Sequence, residues 1–168
     1  MLVCAYYTYG TPYEKIVENL EESLISLGLH YHIRGYDSRG SWVANCGIKP
    51  SFLLDCLTEF DDDILYVDAD AIVRKVPEIA CEEDIGVYYK KHLDGTEELL
   101  SGTIYLKQSA KPLVARWLVE QESNPGKWDQ KTLATVVKKH GYKVQRLPQG
   151  YTKIFDAKWE NGEQDVYI

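Results

Sequence analysis

Apolar runs and helical-period stretches alternate along this chain from its second residue. Leu2 to Tyr9 is apolar and aromatic almost throughout, the pattern of a strand covered on both faces of a sheet. Gly10-Thr11-Pro12 punctuates it, and Tyr13, Ile16, Val17, Leu20, Leu24, Ile25 and Leu27 then recur at helical spacing until Gly28. Thr11 is placed to cap this helix with Pro12 in its first position. Glu14, Glu18, Glu21 and Glu22 fall between the apolar positions, which marks a solvated face. His30 to Tyr36 alternates into a second short strand, so the first third predicts a parallel β-α-β unit.

Residues 37–47 are rich in turn formers and predict a loop at the sheet end. Lys49-Pro50 opens a second helix with Phe52, Leu53, Leu54 and Leu57 facing inward. Two further apolar segments, Ile85 to Tyr89 and Thr103 to Leu106, predict strands joined by a long polar connection over Lys90 to Leu100. Pro112 begins a helix through Leu113, Val114, Trp117 and Leu118, and Asp129 begins another that stops at His140-Gly141. Val144 to Leu147 is a short strand, and Pro148 to Tyr151 a turn. Tyr167-Ile168 is an apolar run at the chain end, read as either a final edge strand or a truncation. These elements predict an α/β domain, residues 1–168, with a mostly parallel central sheet flanked by helices.

The chain is organised around one of these strands. Asp61-Asp62-Asp63 feeds Ile64-Leu65-Tyr66-Val67, which stops on Asp68-Ala69-Asp70. In extended chain Asp68 and Asp70 leave the same face. Two carboxylates so placed repel unless a cation neutralises them, and a hard divalent ion with oxygen ligands, Mn²⁺ or Mg²⁺, suits them. An Asp-x-Asp pair also serves as an ordinary strand-to-turn device. The metal reading gains from the buried strand before it, because open α/β sheets bind ligands at the carboxyl ends of their strands.

Composition narrows the partners. Lys+Arg 19 against Asp+Glu 26 gives a net charge of −7, which argues against nucleic acid or an anionic membrane surface. The four cysteines, Cys4, Cys46, Cys56 and Cys81, are scattered, with no Cys-x-x-Cys spacing, and read as reduced, mostly buried thiols of a cytoplasmic protein. No signal-peptide pattern and no transmembrane run stands out in the sequence.

The first strand ending Tyr7-Thr8, the Lys49-Pro50-Ser51-Phe52 helix opening, Leu65-Tyr66-Val67-Asp68-Ala69-Asp70, Ser101-Gly102-Thr103-Ile104-Tyr105 and Trp128-Asp129-Gln130 together resemble the nucleotide-diphospho-sugar glycosyltransferases of the GT-A fold. Small bacterial and phage glycosyltransferases are the nearest in pattern. The resemblance covers nearly the whole chain, carried by the combination and order of the motifs and not by Asp-x-Asp alone.

That resemblance implies a metal-dependent transferase moving a sugar from a nucleotide-diphosphate donor, a UDP-sugar by default, to an acceptor hydroxyl. Asp68 and Asp70 would hold Mn²⁺ or Mg²⁺, Asp70 more directly and Asp68 reaching the ribose or the metal through water. Tyr7 and Thr8 would meet base and ribose, and Asp37 the base. Arg39 and Lys49, the nearest cations, would meet the diphosphate, and Ala69, Ser101, Gly102 and Gln130 would line the donor sugar. Asp129 would act as catalytic base or hold sugar hydroxyls; as an N-cap of the last helix it has an ordinary structural role too. Tyr7 equally fits a rim aromatic among 13 tyrosines, and Asp37 a turn-forming residue. Relatives place a further metal-ligating histidine after the last strand; His140 is the only downstream histidine here, and its place beside Gly141 fits a helix end.

Two other readings stand beside this one: a non-catalytic nucleotide-sugar binding module, and a phosphatase of the haloacid dehalogenase type. The phosphatase family carries its Asp-x-Asp on the first strand, whereas here a β-α-β unit precedes it. A sheet edge left free would allow a homodimer.

Overall fold

The computed structural model of the protein describes residues 1–154 and 166–168. In chain order it contains strand β1 (Leu2–Thr8), helix α1 (Tyr13–Ser26), strand β2 (Tyr31–Tyr36), a short helix α2 (Trp42–Cys46), helix α3 (Lys49–Glu59), and strands β3 (Ile64–Val67), β4 (Ile85–Lys91) and β5 (Glu97–Leu106). Helices α4 (Lys111–Ser123) and α5 (Asp129–His140) and the strand β6 (Gln145–Arg146) complete it. The six strands form one sheet in the order β2-β1-β3-β5-β4-β6. β1 runs parallel to β2 and β3, β5 runs antiparallel to β3 and β4, and β4 pairs parallel with β6. Parallel pairings therefore predominate, and β5 is the exception at the centre.

The apolar character of β1 follows from its place. Leu2, Cys4 and Tyr6 point to one face, where they pack with Phe52 and Leu57 of α3, Trp117 of α4 and Leu133 of α5. Val3 and Ala5 point to the other, against Val17, Leu20 and Leu24 of α1. A strand with helices on both faces has no side for polar residues. β3 is likewise buried over its whole length. β2, an edge strand, is only half-buried throughout, which explains its mixed composition.

Several expectations are corrected. Thr11 does not cap α1: Pro12 occupies the N-cap without a side-chain bond, and Thr11 Oγ1 donates to the Thr8 carbonyl at 2.7 Å. Ile25 is 60% exposed, because it lies off the buried stripe formed by Val17, Leu20 and Leu24. Within 37–47 the expected loop includes α2, whose start is capped by Ser41 Oγ accepting from Ala44 N at 3.2 Å. The polar stretch Lys90 to Leu100 is not a long connection but the end of a hairpin. β4 and β5 pair from Lys91 with Glu97 inward, and Asp94 Oδ1 accepts from Thr96 N at 2.9 Å across a turn in which Gly95 takes φ +84°. Residues 93–97 of that ribbon are exposed, and a solvated antiparallel ribbon tolerates charged residues that a buried strand does not.

Tyr167 and Ile168 form no strand. Their backbone N–H groups donate to the Gly150 carbonyl at 2.8 and 3.1 Å, and Tyr167 stacks on Tyr151 with ring centroids 4.6 Å apart. The four cysteines are free thiols, two buried and two half-buried. Among the described residues, no helix is long and apolar enough to cross a membrane.

Candidate active site

Parallel strands β1 and β3 end on the same edge of the sheet, and antiparallel β5 crosses that edge at Ser101-Gly102. Val67 pairs with Thr103, and Asp68 N donates to the Gly102 carbonyl at 2.9 Å, so the turn after β3 is pinned to β5. A Cβ on Gly102 would lie 3.2 Å from Asp68 Oδ2. Glycine is what lets the carboxylate settle against the strand.

At this edge stands a buried ammonium. Lys49, the first residue of α3, is 3% exposed. Its Nζ lies 2.8 Å from Asp129 Oδ2 and 3.0 Å from Asp68 Oδ1, donates to the Ser101 carbonyl at 2.9 Å, and sits 4.8 Å over the Tyr66 ring. Burial opposes its charge, but Asp129 and Asp68 outweigh burial and hold the ammonium above the ordinary lysine range. Asp68 is pushed upward by burial, against the pull of Lys49. Its Oδ1 also accepts from Tyr66 OH at 2.7 Å, while 43% of its side-chain surface remains open.

Asp129 opens α5, yet it is not the cap. Trp128 holds the N-cap position with no side-chain bond, and the Asp129 carboxylate turns inward to Lys49 and to Ser101 Oγ, which donates at 2.8 Å. The start of α5 is braced from α4: Trp117 Nε1 donates to Thr132 Oγ1 at 2.9 Å and to the Asp129 carbonyl at 3.2 Å. Thr132 in turn donates to Gln121 Oε1 at 2.6 Å. Gln130 spans two groups. Its Oε1 accepts from Ser101 N at 3.3 Å and its Nε2 donates to Glu98 Oε1 at 2.9 Å.

These groups open on a cavity of about 620 Å³, within the usual range for a small-molecule site. Of the residues singled out from sequence, Tyr7, Thr8, Lys49, Asp68, Ala69, Asp70, Ser101, Gly102, Asp129 and Gln130 line it. Asp37 and Arg39 do not line it; both are exposed, and the Arg39 backbone N–H donates to Asn45 Oδ1 at 2.7 Å. Sequence reasoning missed Tyr66, Glu98, Trp42 and Trp128, which also line the cavity. A signal existed for the last two: each is a lone tryptophan in a polar, turn-rich stretch, where no core position asks for an indole.

Among the described residues, no group of three or more His, Cys, Asp or Glu is gathered to hold a metal ion. Of the four carboxylates that line the cavity, Asp129 and Glu98 are engaged by Lys49, Ser101, Gln130 and Lys131, while Asp68 keeps Oδ2 uncommitted and Asp70 is exposed. That set fits a Mg²⁺-like ion that keeps waters and takes its other ligands from a phosphate-bearing substrate, and it does not fit a closed protein cage.

No protein-family model matches the chain, and no curated protein matches it in sequence. Solved structures do. A glycosyltransferase involved in the glycosylation of the major capsid of PBCV-1 superposes with a TM-score of 0.68 at 12% identity, over 89% of this chain and 82% of its own. The glycosyltransferase GlyE of Streptococcus pneumoniae TIGR4 gives 0.62 at 15% identity, over 90% of this chain and 46% of its own. The galactosyltransferase LgtC, solved with donor and acceptor sugar analogues, gives 0.52 at 12% identity, over 89% and 74%.

The chain has the GT-A fold. At identities this low the likeness is one of fold.

Proposed function

We propose that this protein is a glycosyltransferase that takes a sugar from a nucleotide-diphosphate donor, a UDP-sugar by default, to an acceptor hydroxyl. The observation that carries the reading is the convergence of Asp68, Asp70, Asp129 and buried Lys49 on one cavity at the strand ends of a fold shared with three glycosyltransferases. In the reaction the bond between the anomeric carbon and the diphosphate oxygen breaks, and the acceptor oxygen bonds to that carbon. The electron pair leaves with the nucleoside diphosphate, and the hydroxyl proton passes to a base or to water.

Asp68 Oδ2 and Asp70 would hold Mn²⁺ or Mg²⁺, which when bound stabilises negative charge on the departing diphosphate. Lys49 offsets one of the two negative charges of Asp68 and Asp129, so that an anionic leaving group meets less repulsion. Asp129 Oδ2 is taken by Lys49 and Ser101, which leaves Oδ1 for a sugar hydroxyl or for the acceptor proton. Tyr7 and Thr8, at the end of β1, would meet base and ribose, and Ser101, Gly102 and Gln130 would line the sugar.

Calorimetric titration of UDP and GDP, with and without Mn²⁺, on the wild type and on Asp70→Ala tests this. Binding that needs both Mn²⁺ and Asp70 is the expected result, followed by turnover in a donor screen. Absence of nucleotide binding under every condition would overturn it. Binding without turnover of any donor would leave a nucleotide-sugar binding module instead.

A further inference from the structure

The cavity has an aromatic side that the donor chemistry does not use. Trp42, the first residue of α2, and Trp128, just before α5, come from segments far apart in sequence and meet edge to face, with ring centroids 5.4 Å apart and planes at 85°. Trp42 is 54% exposed. Tyr13, at the start of α1, lies beside it and lines the same cavity. Trp128 carries Lys131 Nζ at 5.7 Å from its ring, and its own Nε1–H is buried with no acceptor among the described residues. An indole donor left without a partner is a group that a ligand oxygen completes once the ring shifts. Next to these rings stand the carboxylate of Glu98 and the amide of Gln130, joined at 2.9 Å.

We propose that Trp42 and Trp128 form the acceptor subsite and that they seat a neutral pyranose ring. The word acceptor rests on the glycosyl-transfer reading above; the sugar rests on the chemistry of this wall. Aromatic faces take the C–H face of a pyranose, and planar carboxylate and amide groups take its hydroxyls. Charge selects against an anionic occupant. The cavity lining contains Asp68, Asp70, Asp129 and Glu98 against the single cation Lys49, and a second negative ligand beside the diphosphate would meet that excess. A flat nucleobase could stack on the same rings, and the test separates it.

Saturation-transfer NMR measures binding of methyl α- and β-glucoside, -galactoside and -mannoside and of uridine to the wild type, Trp42→Ala and Trp128→Phe. Circular dichroism verifies the fold of each, and UDP with Mn²⁺ is titrated into the same samples. At least one methyl glycoside is expected to bind the wild type saturably. Its affinity falls tenfold or more in Trp42→Ala and several-fold in Trp128→Phe, which keeps a ring but loses the N–H, and each loss exceeds that for UDP. No glycoside binding to the wild type, or equal binding by Trp42→Ala, overturns the proposal. So does uridine binding that depends on Trp42, which would make the platform a base site. Failure of UDP and, in the titration above, of GDP to bind would sink the donor reading, whereas the pyranose site stands or falls on the glycoside result.

Discussion

Lys49 is a buried charge with two partners, and its removal leaves Asp68 and Asp129 facing each other across a desolvated gap. Lys49→Met is expected to cost about 3–5 kcal/mol of stability, read by urea unfolding. Because the folded-state pKa of Lys49 lies above its ordinary value, its contribution is complete below that ordinary value. It disappears only as pH climbs through the raised one. The penalty of Lys49→Met should therefore be flat between about pH 6 and 9. Asp68 has the same sign of pH dependence, in a more acid range. Its pKa is raised from 3.8, so the folded state favours its protonated form, and its ionisation opposes folding as pH rises past 3.8. Asp68→Asn should hold or raise the melting temperature at pH 7 while losing Mn²⁺-dependent nucleotide binding. Gly102→Ala tests the same carboxylate from outside: a Cβ 3.2 Å from Oδ2 displaces it by a few tenths of an ångström. We expect several-fold weaker nucleotide binding with little change in melting temperature. Cys46, on the cavity wall, is pushed up to about 12 by burial, with Asp129 adding to it. Few thiolates form near neutrality, so iodoacetamide should label Cys46 negligibly at pH 8 in the folded protein, as read by mass spectrometry.

At the level of elements, the site depends on how α5 is set. Trp117 of α4 is wholly buried and donates its N–H to the Asp129 carbonyl and to Thr132, fixing the first turn that carries Asp129 and Gln130. Trp117→Phe keeps most of the apolar volume but leaves those acceptors short of a donor. A loss of about 1–3 kcal/mol is expected in chemical denaturation, with nucleotide affinity falling as Asp129 loosens. The helices and buried strands were legible from period and punctuation, since an apolar stripe at 3.6 spacing or an unbroken apolar run has few alternatives. The β4–β5 hairpin and α2 were not. Lys90, Lys91, Glu97 and Glu98 belong to strands only because a partner strand supplies their hydrogen bonds, and α2 is too short to show a period.

Over the whole molecule, β1, β3 and β5 each contribute side chains to both packed faces, so the two faces are expected to melt together. Urea unfolding followed by tryptophan fluorescence and by far-ultraviolet circular dichroism should give coincident single transitions; separated midpoints would show that the two faces unfold independently. The sequence by itself determined the α/β class, the acidic balance, the strand that ends on Asp68 and Asp70 and, through the order of its motifs, half of the residues that line the cavity. It did so because burial on two faces and turn chemistry leave local patterns. Only the tertiary structure decided that Lys49 is a buried counter-ion between Asp68 and Asp129, that Asp37 and Arg39 stand outside the cavity, and that Trp42 meets Trp128. Those relations join residues dozens of positions apart, and which side chains converge is set by strand order and helix docking, which local periodicity does not encode.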